Sequence, residues 1–172
     1  MVSASSTSLL VVALIGLASG LGHAQTGAKP MVATPAVVFV CEHGAAKSVI
    51  ATAYFNKIAA ERGLPFRATF RGTSPQENLS LRTVEGLKAD GVAAPPGKPA
   101  AITDADVANA THIFAIGCTL PDNAHRSGKA ADWSDVPDDG GVRADARCDR
   151  PTREAVVVSI AAIETHYGVG HE

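Results

Sequence analysis

Three cysteines offer the most chemistry in this chain, and one of them has a setting the other two lack. Cys41 ends an apolar run and is followed by Glu42, His43, Gly44, Ala45, Ala46, Lys47 and Ser48. A turn of small residues between a strand and a helix leaves backbone N–H groups without partners. Those amides, with the helix dipole behind them, form an anion site. Gly44, Ala45 and Ala46 let a ligand approach closely, and Lys47 adds positive charge. Ser48 either caps the helix or donates a hydrogen bond to the sulfur. The same field brings a free thiol down from a pKa of about 8.5 toward about 3.5–7.5, giving a nucleophile aimed at a tetrahedral substrate. A protonated His43 acts in the same sense. Glu42 opposes both effects if its carboxylate points inward and matters little if it points to solvent. On spacing alone, the alternative is that Cys41 is a small buried residue at a strand end.

Regular elements must place such a loop, and the chain supplies them in alternation. Ala36 to Cys41 is a continuous β-branched run, expected of a strand buried on both faces. Ser48 to Arg62 has helical spacing through Val49, Ala53, Ile58 and Ala59, with Gly63 as a stop. Phe66 to Arg71 predicts a second strand, Leu81 to Asp90 a helix closed by Gly91, and Thr103 to Ala110 a short helix capped by Thr103. His112 to Cys118 predicts a third strand and Ala131 to Val136 a short fourth. Pro151 to Tyr167 predicts a last helix burying Val156, Ile160 and Ile163. The expected fold is α/β: a three-layer, doubly wound, four-stranded parallel sheet of flavodoxin-like order with helices on both faces. Ligands in such sheets bind beyond the carboxyl ends of the strands, where Cys41 stands.

The stretch CEHGAAKS resembles the Cys-x5-Arg-Ser phosphate loop of low-molecular-weight protein tyrosine phosphatases and the related thioredoxin-coupled arsenate reductases. It lies, as in that family, on the first strand-to-helix turn. The RGTSP segment resembles the family's Ser-Ala-Gly-Thr, and the resemblance runs on from Gly86 to Cys118 and into DWSDVPDD. The chain departs from the family at Lys47, which replaces an arginine, and at His43-Gly44, which replaces a Gly-Asn pair. Arginine grips two oxygens with a planar fork, whereas lysine is a point charge.

The resemblance implies a cysteine-dependent phosphomonoesterase working through phosphocysteine. Its substrate would be a phosphorylated small molecule or a phosphotyrosine-bearing protein. Cys41 and Lys47 are the catalytic pair, and residues 42–48 bind the substrate. Asp135 is the first candidate for general acid, ahead of Asp138 and Asp132; the alternative is a solvated acidic loop. No metal or cofactor is called for. Two rival readings are a redox enzyme of the arsenate reductase type acting on arsenate, with Cys118 as its redox partner, and a non-catalytic oxyanion-binding module. The family's second resolving cysteine is missing near Cys118, which favours a structural thiol there.

The remaining features bound these readings. The 172 residues suit one domain, and 46% hydrophobic against 19% charged supports a real core. A formal net charge of -2 gives no case for nucleic acid. Leu9 to Gly22 is an uncharged apolar run, short of the roughly 20 residues of a membrane span. Gly22 and Ala24 fit a cleavage before Gln25. The expected organisation is therefore a signal peptide at 1–24, a linker at 25–35 and the phosphatase-like domain at 36–172. That implies an exported protein, with no stable membrane insertion once the signal is cleaved. An uncleaved N-terminal anchor is the alternative.

Overall fold

The computed structural model describes Thr34 and residues 36–135 and 150–167, except the side chains of 150–153 and 163–167. The expected signal and most of the linker lie outside the described residues, as do Pro137, Asp138 and Cys148. Among the described residues no helix is long and apolar enough to cross a membrane.

Four parallel strands form one sheet in the order β2-β1-β3-β4. They are β1 (Ala36–Cys41), β2 (Arg67–Gly72), β3 (Ala110–Ala115) and β4 (Ala130–Asp132). The helices are α1 (Lys47–Glu61), α2 (Leu81–Ala89), α3 (Asp104–Asn109), α4 (Asp122–His125) and α5 (Arg150–Tyr167). β1 is central, so both its faces are covered, which explains its unbroken apolar run. Alternate residues serve two cores. Val37 and Phe39 join Val49 and Phe55 of α1, Leu87 of α2, and Val156 and Ile160 of α5. Val38 and Val40 join Ile113 and Ala124, with Val107 packed against them from α3.

The expected elements hold, with shifted ends. β3 runs from Ala110 to Ala115 rather than from His112 to Cys118. Ile116 still donates to the Val40 carbonyl at 2.7 Å, but Gly117 at φ 61° then turns the chain out of the sheet. Cys118 therefore sits in a loop beyond the strand. β4 stops at Asp132 because its carboxylate turns back to accept from the Ser134 N–H at 2.9 Å and Oγ at 3.1 Å. The one-turn helix α4 carries too few residues to show a period, so no pattern in the sequence marks it. α1 buries more than the stripe through Val49 and Ala59: every residue from Ser48 to Phe55 is buried, while Ile58 is partly exposed. α1 packs against both the sheet and α5, so its first two turns have little solvent face.

An aromatic stack links the middle of the sheet to the acidic segment. Phe39 is fully buried, with ring centroids 5.2 Å from Phe114 and 5.6 Å from Trp133, and Phe114 lies 4.5 Å from Trp133. Burying a side chain of this size contributes roughly 1.5–3 kcal/mol. The Trp133 N–H also donates to Ala115 at 2.8 Å, extending the β3–β4 ladder. Trp133 is thus the anchor from which the turn carrying Asp135 departs.

Candidate active site

The loop from Glu42 to Ala46 crosses the carboxyl end of β1, at the switch point where the chain order reverses between β1 and β3. Its carbonyls are tied to the segment between β2 and α2. Cys41 O accepts from Thr73 N at 3.1 Å, Glu42 O from Ser74 N at 2.7 Å, His43 O from Gln76 N at 3.2 Å and Ala45 O from Ser80 N at 3.0 Å. In a trans peptide the N–H points opposite to the carbonyl. Tying these four carbonyls to one side therefore turns the amides of Glu42, His43, Gly44 and Ala46 to the other. Among the described residues, those amides donate to no backbone acceptor.

Two glycines make this packing possible. Gly44 has φ 61°, and a Cβ built on it would lie 2.9 Å from the Gly72 nitrogen. A Cβ on Gly72 would in turn lie 2.9 Å from the Gly44 nitrogen. Neither position has room for a side chain.

Cys41 is buried, 6% exposed, and its Sγ lies 3.1 Å from the Ser48 Oγ. Ser48 is itself fully buried and does not cap the helix; the N-cap is Ala46, with no side-chain bond. Of the two roles open to Ser48, the contact with the sulfur is the one realised. A cavity of about 430 Å³ opens over the thiol. Glu42, His43, Ala45, Ala46 and Lys47 line it, joined by Gln76, Ser80, Ile116 and Gly117. Gly44 is buried within the loop rather than on the cavity wall.

The charged groups sort themselves by position. The Glu42 side chain is 66% exposed, so its carboxylate faces solvent, the harmless one of the two orientations. His43 is nearly as exposed, with Nδ1 3.3 Å from Ser74 O. The Lys47 Nζ would be 3.2 Å from a Cβ on Gly117, so the ammonium lies against the β3 side of the cavity, over a residue with no side chain.

Asp135 is exposed, on the turn that follows Trp133, and is not among the residues lining the cavity. Asp132 lines a second cavity, of about 310 Å³, together with Cys118, Leu120, His125 and Ala130. Asp132 therefore holds the turn that precedes Asp135 rather than facing Cys41. The Cys118 sulfur is 3.5 Å from Val40 O. Burial first, then Cys41, then Asp132 and Glu42, push its thiol up to about 11 against the lowering effect of a backbone hydrogen bond at Ile116.

Gln76, Ser80, Ile116 and Gly117 line the cavity but lie outside the loop that the sequence singles out. Ser80 carried a readable signal, as a serine just before a helix; its Oγ accepts from Thr83 N at 3.4 Å. Gly117 carried none, since only the pairing of β1 with β3 brings it beside Lys47.

A doubly wound parallel sheet with a cysteine at its switch point, beside a loop whose amides donate to no backbone acceptor among the described residues, defines a class: α/β proteins with a cysteine at the first strand-to-helix turn. Residues 36–131, more than half the chain, match the model of the low molecular weight phosphotyrosine protein phosphatases, and the chain belongs to that family. No curated protein matches it. Solved structures share its fold. The low molecular weight protein tyrosine phosphatase of T. tengcongensis is 19% identical, with TM-score 0.67 over 74% of this chain and 99% of that one. The YwlE arginine phosphatase of Geobacillus stearothermophilus is 15% identical, with TM-score 0.66 over 80% and 98%. An arsenate reductase in the phosphate-binding state is 18% identical, with TM-score 0.64 over 75% and 98%.

Proposed function

We propose that the chain hydrolyses phosphate monoesters through a phosphocysteine at Cys41. The observation that carries this reading is the outward tying of the loop carbonyls, which leaves the amides of the cavity-lining residues Glu42, His43 and Ala46 for the oxyanion. Cys41 sulfur attacks phosphorus as the bond to the leaving oxygen breaks. Asp135 gives that oxygen its proton, and Trp133 sets where its turn begins. Water then attacks the phosphocysteine, releasing phosphate and restoring the thiolate. The loop amides and the Lys47 ammonium carry the charge on the equatorial oxygens, where preorganised donors contribute most in the transition state. Ser48, at 3.1 Å from the sulfur, steadies the thiolate when it leaves phosphorus.

The substrate is a phosphorylated small molecule or a phosphotyrosine-bearing protein. The arginine phosphatase among the structural neighbours adds phosphoarginine to the panel worth assaying. The alternative, an arsenate reductase-type redox enzyme, needs a second thiol, Cys118 or one on a partner molecule, to attack the sulfur of a Cys41–arsenate adduct, forming a disulfide as arsenic is reduced and leaves as arsenite. Burial first pushes the Cys118 thiol up to about 11, which weighs against Cys118 as that attacking group. The test is phenyl phosphate and phosphoarginine hydrolysis by the purified chain, with arsenate-dependent thiol oxidation alongside. Turnover of arsenate without phosphate release from either ester would overturn the proposal.

We also propose that the protein is exported after removal of residues 1–24, on the strength of the uncharged run from Leu9 to Gly22 and the small residues at Gly22 and Ala24. Mass spectrometry of the exported protein is expected to find Gln25 at the N-terminus. Soluble cytosolic protein that retains the leader would refute it.

A further inference from the structure

Arg71 and Gly72 end β2 against the phosphate loop. A Cβ on Gly44 would meet Arg71 C and Gly72 Cα at 3.1 Å, so the two backbones touch with no slack. Gly72 is held from its other side as well: its N–H donates to Ala100 O at 2.8 Å, and its carbonyl accepts from Ile102 N at 3.1 Å. The next residue, Thr103, caps α3 through a capping box with Asp106. Asp106 then reaches back to Arg71. Arg71 Nε donates to Asp106 Oδ2 at 2.9 Å and Nη2 to Oδ1 at 2.8 Å, a two-pronged grip. Nη1 is spent on Thr69 Oγ1 at 3.0 Å and Phe70 O at 2.8 Å. Asp106 Oδ2 also accepts from Thr103 N at 2.9 Å and Oγ1 at 2.7 Å. The chain of contacts closes on itself, from Gly72 through Ile102, Thr103, Asp106 and Arg71 back to Gly72.

We propose that Arg71 and Asp106 are positioning residues of the oxyanion site: their ion pair fixes Gly72, and Gly72 fixes the amides around Gly44. The inference rests on the reading of residues 42–47 as the oxyanion loop. Neither side chain lines the cavity, so both act only through the backbone. The side chains are 26% and 13% exposed, which shields the pair from solvent screening. Burial alone would raise the Asp106 carboxyl, but the hydrogen bonds from Arg71 and Thr103 hold it below its ordinary value, so the pair is charged at neutral pH. A lysine at 71 keeps the charge and loses the planar fork that sets direction.

The test uses the full chain with Arg71→Lys, Arg71→Met and Asp106→Asn. Tyr54→Phe is the stability control, because it removes the Tyr54–Asp90 hydrogen bond, which joins α1 to the end of α2 away from the loop. Three quantities are read: affinity for inorganic phosphate, the rate of Cys41 alkylation at neutral pH, and kcat for phenyl phosphate. Displacing the loop by a fraction of an ångström is expected to cost about tenfold or more in phosphate affinity and kcat for Arg71→Met and Asp106→Asn. Arg71→Lys should fall between those variants and the wild type, and alkylation should slow in the same order. Tyr54→Phe, even with an equal loss of Tm, should leave all three readouts near the wild type. Variants at 71 and 106 that bind phosphate and alkylate like the wild type would overturn the proposal, as would a Tyr54→Phe effect of equal size. Should Arg71→Met fail to fold, Arg71→Lys and Asp106→Asn decide the matter. A wild type that binds phosphate without hydrolysing phenyl phosphate overturns the phosphatase reading alone, and the binding and alkylation readouts still judge the pair. A wild type that binds no phosphate overturns both.

Discussion

Two cysteines lie near the same rim of the sheet, each in the wall of a cavity, and their surroundings are opposite. Cys41 closes β1 beneath a loop whose amides are turned free, with Ser48 Oγ at 3.1 Å and Lys47 on the cavity wall. Cys118 sits three residues past β3 in a cavity of Ala115, Leu120 and Ala130, and its sulfur rests 3.5 Å from a carbonyl oxygen. Its nearby charges are negative, and its thiol is pushed up to about 11. Place on the rim does not distinguish the two cysteines. The direction of the neighbouring peptide dipoles does, and that direction is set by where the carbonyls are tied.

The largest expected effect is on the nucleophiles themselves. Cys41→Ser should lower phosphate ester hydrolysis by about 10⁴-fold or more, as loss of an enzyme's nucleophile does. Cys118→Ser should leave it within about twofold. Comparable losses in the two variants, measured as kcat/KM on phenyl phosphate, would erase the distinction drawn between the cavities.

Next comes the packing that turns the loop amides. Gly44→Ala forces a Cβ to 2.9 Å from the Gly72 nitrogen at φ 61°. The strain is expected to cost about 1–3 kcal/mol of stability. Displacement of the loop should cut kcat about a hundredfold. Thermal unfolding and turnover together check it. A variant that unfolds earlier but keeps full kcat would show that the amides do not depend on this contact.

Lys47→Arg sharpens the same site. The Lys47 ammonium lies against Gly117, and Gly117 has no side chain to obstruct a change of head group there. Two parallel hydrogen bonds to the equatorial oxygens should raise kcat, by up to about a hundredfold, with little change in KM. A fall in kcat would mean the loop is shaped around lysine, and would favour an oxyanion-binding module over a hydrolase.

The smallest effect concerns Cys118. Its proton is held more tightly in the fold than in an ordinary thiol, which titrates at 9.0. The stabilisation from keeping it neutral is therefore complete below about pH 9 and fades as pH rises toward 11. Cys118→Ser should flatten that alkaline loss of stability in a pH series of thermal melts. At neutral pH, iodoacetamide should label Cys41 well before Cys118, as peptide mapping can read.

What was legible in the sequence was local. The apolar run of β1, the period of the helices, the Thr103 cap and the small residues after Cys41 follow from neighbours a few positions apart, because hydrogen-bond ladders and turn sterics repeat over that distance. The choice between the two roles of Ser48 was not local, nor was the orientation of Glu42, nor the end of β3. Ser48 meets the sulfur because the helix starts one residue before it, at Lys47, and buries its first turn. Gly72 was visible only as part of a strand-end turn; its contact with Gly44 exists because β2 pairs with β1 in a register that sets Gly72 beside Cys41. The Arg71–Asp106 pair spans 35 residues, and Gly117 reaches Lys47 only across the β1–β3 pairing. Sequence determined that a cysteine would stand at a strand end before a permissive turn. Tertiary structure decided which way the peptides of that turn face, because their carbonyls are held by residues 73 to 80, far along the chain and adjacent only once the sheet has formed.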